Sequence, residues 1–224
     1  MNIAFIPARG GSKSIPLKNI KEINGKPLIY WTIKAGEEAI CIDKTVLATD
    51  SDYIASAAKS FNFKKLEIYY RDKENAQDSS STESVMLEYI NKSDLKSDDN
   101  MFLIQATSPM LKSEHIDKMY EKFINGEFNS MFSAVREKQF KWIETENGLK
   151  PVNYDYRKRP RRQEFEGLLA ENGACYINSI GNIKRDNCRL SGKIGAYEMP
   201  SYTLYELDEP TDWIIVENLM KQNL

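Results

Sequence analysis

A single histidine, His115, and three cysteines at positions 41, 175 and 188 leave this 224-residue chain few of the usual tools of catalysis. One histidine excludes most histidine-based metal and triad chemistry. Cysteines in odd number, far apart and with no C-x-x-C spacing, argue against a disulfide frame or a zinc site and predict free thiols in a reducing compartment. Charge of one sign is lacking too: the formal net charge is −2, where a nucleic-acid coat would show a basic excess. No apolar run approaches the ~20 residues that span a bilayer. Residues 1–3 show no basic start to a secretion leader, so a cytoplasmic protein with neither membrane nor nucleic-acid partners is expected. The two standard phosphate-loop patterns, G-x-x-x-x-G-K-[ST] and G-x-G-x-x-G, are both absent. Catalysis is left to carboxylates, cations and a metal ion.

What the chain does have is an apolar content of 41%, enough for a sizeable core, and a strand-like opening run, 3–6, that empties into a glycine-rich cationic loop. The loop carries Arg9, Gly10, Gly11, Ser12, Lys13 and Lys18. Glycines let backbone N–H groups approach an anion, and the cations offset its charge. By itself the segment reads as a phosphate site or as an ordinary surface turn. Downstream, apolar spacing predicts helices over 28–39, 53–61, 83–91, 113–123 and 213–220 and strands over 45–49, 66–70, 101–104, 130–135, 171–177 and 194–199. Strands alternating with helices imply an α/β, mostly parallel, Rossmann-like sheet with helices on both faces. Right-handed crossovers then collect the loops after residues 6, 49, 70 and 104 on one edge. Those loops hold Arg9, Lys13, Asp50, Arg71, Gln105 and Ser108. From 136 to 167 the βα rhythm stops. This polar excursion carries Arg157, Lys158, Arg159, Arg161 and Arg162 among aromatic residues, and its cations suit solvent, a subunit partner or an anionic substrate.

Near the C-terminus, Glu206 and Asp208 stand at i and i+2, on one side of an extended segment. Such a pair can hold one hard divalent cation through oxygen. It reads also as acids at a helix start, where the dipole favours them. His115, early in a helix, reads as structural. Gln105, Thr107 and Ser108 can terminate a strand or bind a polyol, and 79–82 can cap a helix or meet a base edge.

Taken together, IPARGGSK (6–13) with Pro16, Lys18 and Asn19, ATDSD (48–52), the 71–82 segment with Ala76 and Asp78, LIQATSP (103–109), ENGACYI (171–177) and ELDEPTDW (206–213) closely resemble the acylneuraminate cytidylyltransferases, the synthetases of CMP-sialic acids. Several motifs in the right order are far more specific than any one. The resemblance implies transfer of CMP from CTP to a nonulosonic acid, N-acylneuraminate first, with Mg²⁺ and release of pyrophosphate. It implies that Arg9, Ser12, Lys13 and Lys18 hold the triphosphate, and that Asn19, Arg71, Ser80 and Thr82 read cytosine and ribose. Gln105 and Ser108 would bind the sugar acid, with Arg161 near its carboxylate or in a subunit contact. Glu206 and Asp208 would hold the metal, and Arg9, Lys13 and Asp208 would carry catalysis. It also implies a homodimer built on one nucleotidyltransferase domain, 1–224, with the 136–167 excursion as its arm. Three positions depart from the family pattern: Glu206 where Asp is common, Leu111 (beside Lys112) where an arginine is common, and Ala170 where a basic residue is frequent. The last two bear on which acid is bound. Legionaminate, pseudaminate and octulosonate stay open as substrates, as does a nucleotide-binding module without turnover.

Overall fold

In this computed structural model, residues 1–11, 15–77 and 79–223 are described. Strand β1 (Asn2–Pro7) has Ile3, Ala4, Phe5 and Ile6 wholly buried. Burial on both faces explains why the run is apolar throughout and not alternating. A two-residue ladder, β2 (Glu22–Ile23) with β3 (Lys26–Pro27), leads into α1 (Leu28–Glu38), then β4 (Lys44–Thr49), α2 (Asp52–Lys59), β5 (Leu66–Tyr70), α3 (Thr82–Asn91), β6 (Asn100–Ile104), α4 (Ser113–Asn125) and β7 (Ser130–Glu137). The second half holds β8 (Trp142–Thr145), β9 (Gly148–Pro151), β10 (Leu168–Ser179), α5 (Ile180–Asp186), β11 (Ile194–Glu198) and α6 (Pro210–Asn223).

Seven strands form one sheet in the order β11-β7-β10-β6-β1-β4-β5. All run parallel except β10, which is antiparallel to both β6 and β7. An antiparallel neighbour needs no helical crossover, so the chain between β7 and β10 is free to leave the sheet. It does so as the β8–β9 hairpin, with Phe140 stacked on Tyr154 (4.3 Å) and Phe165 (4.9 Å). The order in which strands join the sheet reverses at β1, since β4 pairs on one side of β1 and β6 on the other, both parallel to it.

One apolar cluster lies on the α1/α4 face and a second on the α3/α5 face. A third joins Ile23, Leu28 and Met110 to Leu207, Trp213, Val216 and Met220, and so clamps α6 against the start of α1. Boundaries differ from expectation by a few residues. Helix α4 begins at Ser113, with Lys112 as its cap. His115 Nδ1 accepts the Lys112 N–H (3.2 Å), a structural use of the one histidine. Helix α5 is an addition to the expected elements; it is only seven residues long, too short to show helical periodicity.

Candidate active site

The crevice outside the C-terminal ends of β1 and β6 is where an open α/β sheet takes its ligand. Here it is a cleft of about 480 Å³, lined by Arg9, Gly11, Lys18, Asn19, Arg71, Gln77, Ser80, Thr82, Gln105, Thr107 and Asp208 among others. Six strand or helix ends contribute, so side chains as distant in sequence as Arg9 and Asp208 share one wall system.

The loop after β1 is held by polar ties. Asn19 is buried, and its Nδ2 donates to the Arg9 carbonyl (2.9 Å). The Gly10 N–H donates to Asp50 Oδ1 (2.9 Å), which also receives Arg71 Nη2 (3.1 Å). Partial burial pushes the Asp50 carboxyl upward, but the Gly10 N–H and the guanidinium overcome it and hold the group below its ordinary value. The Arg71 side chain is only 5% exposed, and its Nε has no hydrogen-bond partner. A buried donor without an acceptor is unfavourable by about 1–3 kcal/mol, and other atoms of this arginine line the cleft. On the opposite side, Ser81 caps α3 by accepting the Ser84 N–H (3.0 Å). That turn presents Ser80 and Thr82 to the cleft.

The acid pair is fixed from below. Leu207 is wholly buried in the third cluster, which turns its neighbours Glu206 and Asp208 away from it. Lys18 Nζ donates to the Leu207 carbonyl (2.5 Å) and lies 3.4 Å from Asp208 Oδ1. Glu206 packs against the bulge in β10. A Cβ added to Gly173 (φ +66°) would come within 2.3 Å of its Oε1. Burial, and then the charge of Asp208, raise the Glu206 carboxyl above its ordinary value, with Lys18 opposing. Two acids that repel one another are a donor set that a hard dication would settle, and in that sense the residues fit Mg²⁺. Among the described residues no third acidic, histidine or cysteine ligand joins them. Water and phosphate oxygens would complete the shell, which is how Mg²⁺ is usually held.

A family model described as cytidylyltransferase matches residues 3–209. The chain belongs to that family. It is 38% identical to N-acylneuraminate cytidylyltransferase of Oncorhynchus mykiss and 37% identical to N-acylneuraminate cytidylyltransferase A of Danio rerio, in each case across 96% of this chain and 49% of the relative. The chain therefore spans about half the length of these curated relatives. Pseudaminic acid cytidylyltransferase of Campylobacter jejuni is 27% identical, over 99% of this chain and 97% of its own. Among solved structures, CMP:2-keto-3-deoxy-manno-octonic acid synthetase complexed with CTP superposes with a TM-score of 0.69 at 18% identity, over 100% of this chain and 99% of that one. The 2-C-methyl-D-erythritol 4-phosphate cytidylyltransferase of Francisella tularensis gives 0.69 at 15% identity, with the same coverage. The two structures show the fold alone.

Of the residues the sequence singles out, the fold brings Arg9, Lys18, Asn19, Arg71, Ser80, Thr82, Gln105 and Asp208 into one cleft. Ser12 and Lys13 lie outside the described residues. Three others are placed elsewhere. Ser108 lies under the cleft floor, 5% exposed, with an unpartnered Oγ. Glu206 sits behind the lining against Gly173, and Arg161 is exposed on the excursion. The departing positions also have defined places. Leu111 is core, Ala170 pairs with Val135 in the β10–β7 ladder, and Lys112 Nζ donates to the Asn223 carbonyl of α6 (2.6 Å).

One contact and one residue escape a reading of the sequence. Asp50 is visible there as a loop acid, but its double contact with Gly10 and Arg71 is not. Glu88 of α3, 9% exposed, accepts from Tyr69, Asp72 and Asn75. Its sole sequence signal is an acid three residues after the buried Val85, on the inward side of the helix.

Proposed function

We propose that this chain transfers CMP from CTP to the anomeric hydroxyl of a nine-carbon 2-keto sugar acid, N-acylneuraminate first, releasing pyrophosphate. The observation that carries the reading is the shared cleft: loop cations, a buried arginine donor, neutral polar groups and an acid face one another across it. The curated relatives supply the substrate class.

In this reading Arg9 and Lys18 bind the triphosphate, with Lys13 assigned the same task from the sequence. Arg71, Ser80, Thr82 and Asn19 orient base and ribose from the cleft wall. Gln105 and Ser108 face or underlie the sugar acid, and Arg161 serves its carboxylate or a second subunit. Glu206 and Asp208 would hold Mg²⁺, which supplies charge neutralisation on the phosphates when bound. The hydroxyl attacks the α-phosphorus in line and pyrophosphate departs, while Asp208, as a holder of Mg²⁺, would aid loss of the hydroxyl proton. Positioning and electrostatic stabilisation by fixed cations account for most of the acceleration. The excursion 136–167 is the arm of a homodimer. Three free cysteines support a reducing, cytoplasmic setting, and among the described residues no helix is long and apolar enough to cross a membrane.

Pyrophosphate release from CTP, with and without Mg²⁺, across a panel of N-acylneuraminate, legionaminate, pseudaminate and octulosonate tests the proposal. Release with N-acylneuraminate is expected. Release with no acid would leave a nucleotide-binding module. Pseudaminate is the second reading, because the pseudaminic acid cytidylyltransferase of Campylobacter jejuni matches this chain over 97% of its own length.

A further inference from the structure

Between β5 and α3 the chain runs through residues 72–81 with Ala76 as its only apolar side chain, and none of its described residues is buried. Hydrophobic packing therefore cannot hold this segment, although Gln77, Ser80 and Ser81 from it line the cleft. Polar ties must fix it, and they converge on α3. Glu88 Oε1 accepts the Asp72 N–H (2.9 Å) and the Tyr69 hydroxyl (2.5 Å), and Oε2 accepts Asn75 Nδ2 (2.6 Å). A second tie, Lys92 Nζ to Asp72 Oδ2 (2.5 Å), joins side chains 47% and 49% exposed. Exposed pairs of that kind contribute little. The Glu88 side chain is 5% exposed, where charged hydrogen bonds are strong and an unmatched one is costly. Three of its partners span the end of β5, the start of the segment and its middle, and the fourth, Lys92 Nζ, lies 3.5 Å from Oε1 just past the end of α3.

We propose that Glu88 is the positioning residue that sets the nucleotide-facing wall of the cleft, and so governs affinity for CTP and discrimination of its base. What occupies the wall rests on the function proposed above; what Glu88 holds rests on geometry alone. The chemistry gives a sharp test. A carboxylate accepts at both oxygens, whereas the amide of Glu88→Gln must present a donor at one of them, and facing Asn75 Nδ2 that is donor against donor. Combining Glu88→Gln with Asn75→Asp restores one donor opposite one acceptor.

Hydrogen exchange on the nucleotide-free protein and steady-state kinetics on CTP and UTP read the two halves separately. Glu88→Gln is expected to speed exchange over 72–81 while β1, β4 and β6 keep their rates. KM for CTP should rise about tenfold with kcat within about twofold, the scale of one or two lost hydrogen bonds. The preference for CTP over UTP should fall, and the combined variant should recover most of each change. Asn75→Ala, on the exposed segment, should reproduce a smaller effect and keeps the test readable if Glu88→Gln does not fold. Unchanged exchange over 72–81 would overturn the inference. So would a fall in kcat in step with thermal stability, with KM for CTP and for UTP unchanged. Wild-type protein that binds no CTP would instead overturn the proposed function, with the exchange result still deciding what Glu88 holds.

Discussion

Lys18 spans 189 positions of sequence to reach the Leu207 carbonyl, and it joins the loop after β1 to the segment that carries the acid pair. Lys18→Met keeps the aliphatic stem and removes the ammonium. It leaves the Leu207 carbonyl without that donor, a loss of about 1–3 kcal/mol, and it removes a fixed positive charge from the cleft. On the proposed reading kcat/KM falls about a hundredfold while the thermal midpoint drops by only a few degrees; steady-state kinetics with differential scanning fluorimetry separate the two. Gly173 is a second residue with a defined task. At φ +66° a side chain is strained by about 1–2 kcal/mol, and its Cβ would stand 2.3 Å from Glu206 Oε1. Gly173→Ala is expected to push Glu206 from its place and to raise the Mg²⁺ concentration giving half-maximal pyrophosphate release. An unchanged Mg²⁺ titration would detach Glu206 from the metal role.

Among the elements, α1 and β4 show how closely the scaffold is packed. A Cβ on Gly36 would come within 2.7 Å of Thr45 Oγ1 and 3.3 Å of Ala4 Cβ, so the helix approaches the sheet along a bare glycine. Gly36→Ala overpacks that contact and should destabilise the fold by about 1–3 kcal/mol in urea titration, with KM for CTP unaltered because the cleft lies elsewhere. Helix α3 carries a pH dependence through Glu88. Burial pushes this carboxyl upward, but the Tyr69 hydroxyl, Asn75 and the Asp72 N–H hold it below its ordinary 4.5. The unfolded chain therefore binds this proton at higher pH than the folded one. Stability from the ionised form is present above 4.5 and is lost as pH falls through the lower folded value. The advantage of wild type over Glu88→Gln in urea titration should be constant above about pH 6 and shrink below about pH 4.5.

For the whole molecule, the excursion between β7 and β10 is the part least explained by a single chain. Its hairpin leaves Trp142, Ile143 and Leu149 exposed at 44%, 50% and 67%. Such side chains grouped on one arm suit burial against another surface. On the proposed reading the protein sediments as a dimer at micromolar concentration, and Ile143→Ser combined with Leu149→Ser shifts it toward monomer; a wild-type monomer would refute the assignment. The sequence alone determined the alternation of strand and helix, because apolar period is a local property, and it named the loop cations and the Glu206–Asp208 pair, because those motifs are contiguous. It also placed Asp50 and Arg71 on the same edge through the crossover rule. Only the tertiary structure decided that Asp50 joins Arg71 to the Gly10 N–H, that Leu207 buries itself to orient the acids, that Ser108 lies beneath the floor, and that Glu88 holds 72–81. Each of these depends on which atom meets which across a long gap in sequence, and on how completely water is excluded there. Periodicity and composition carry neither quantity.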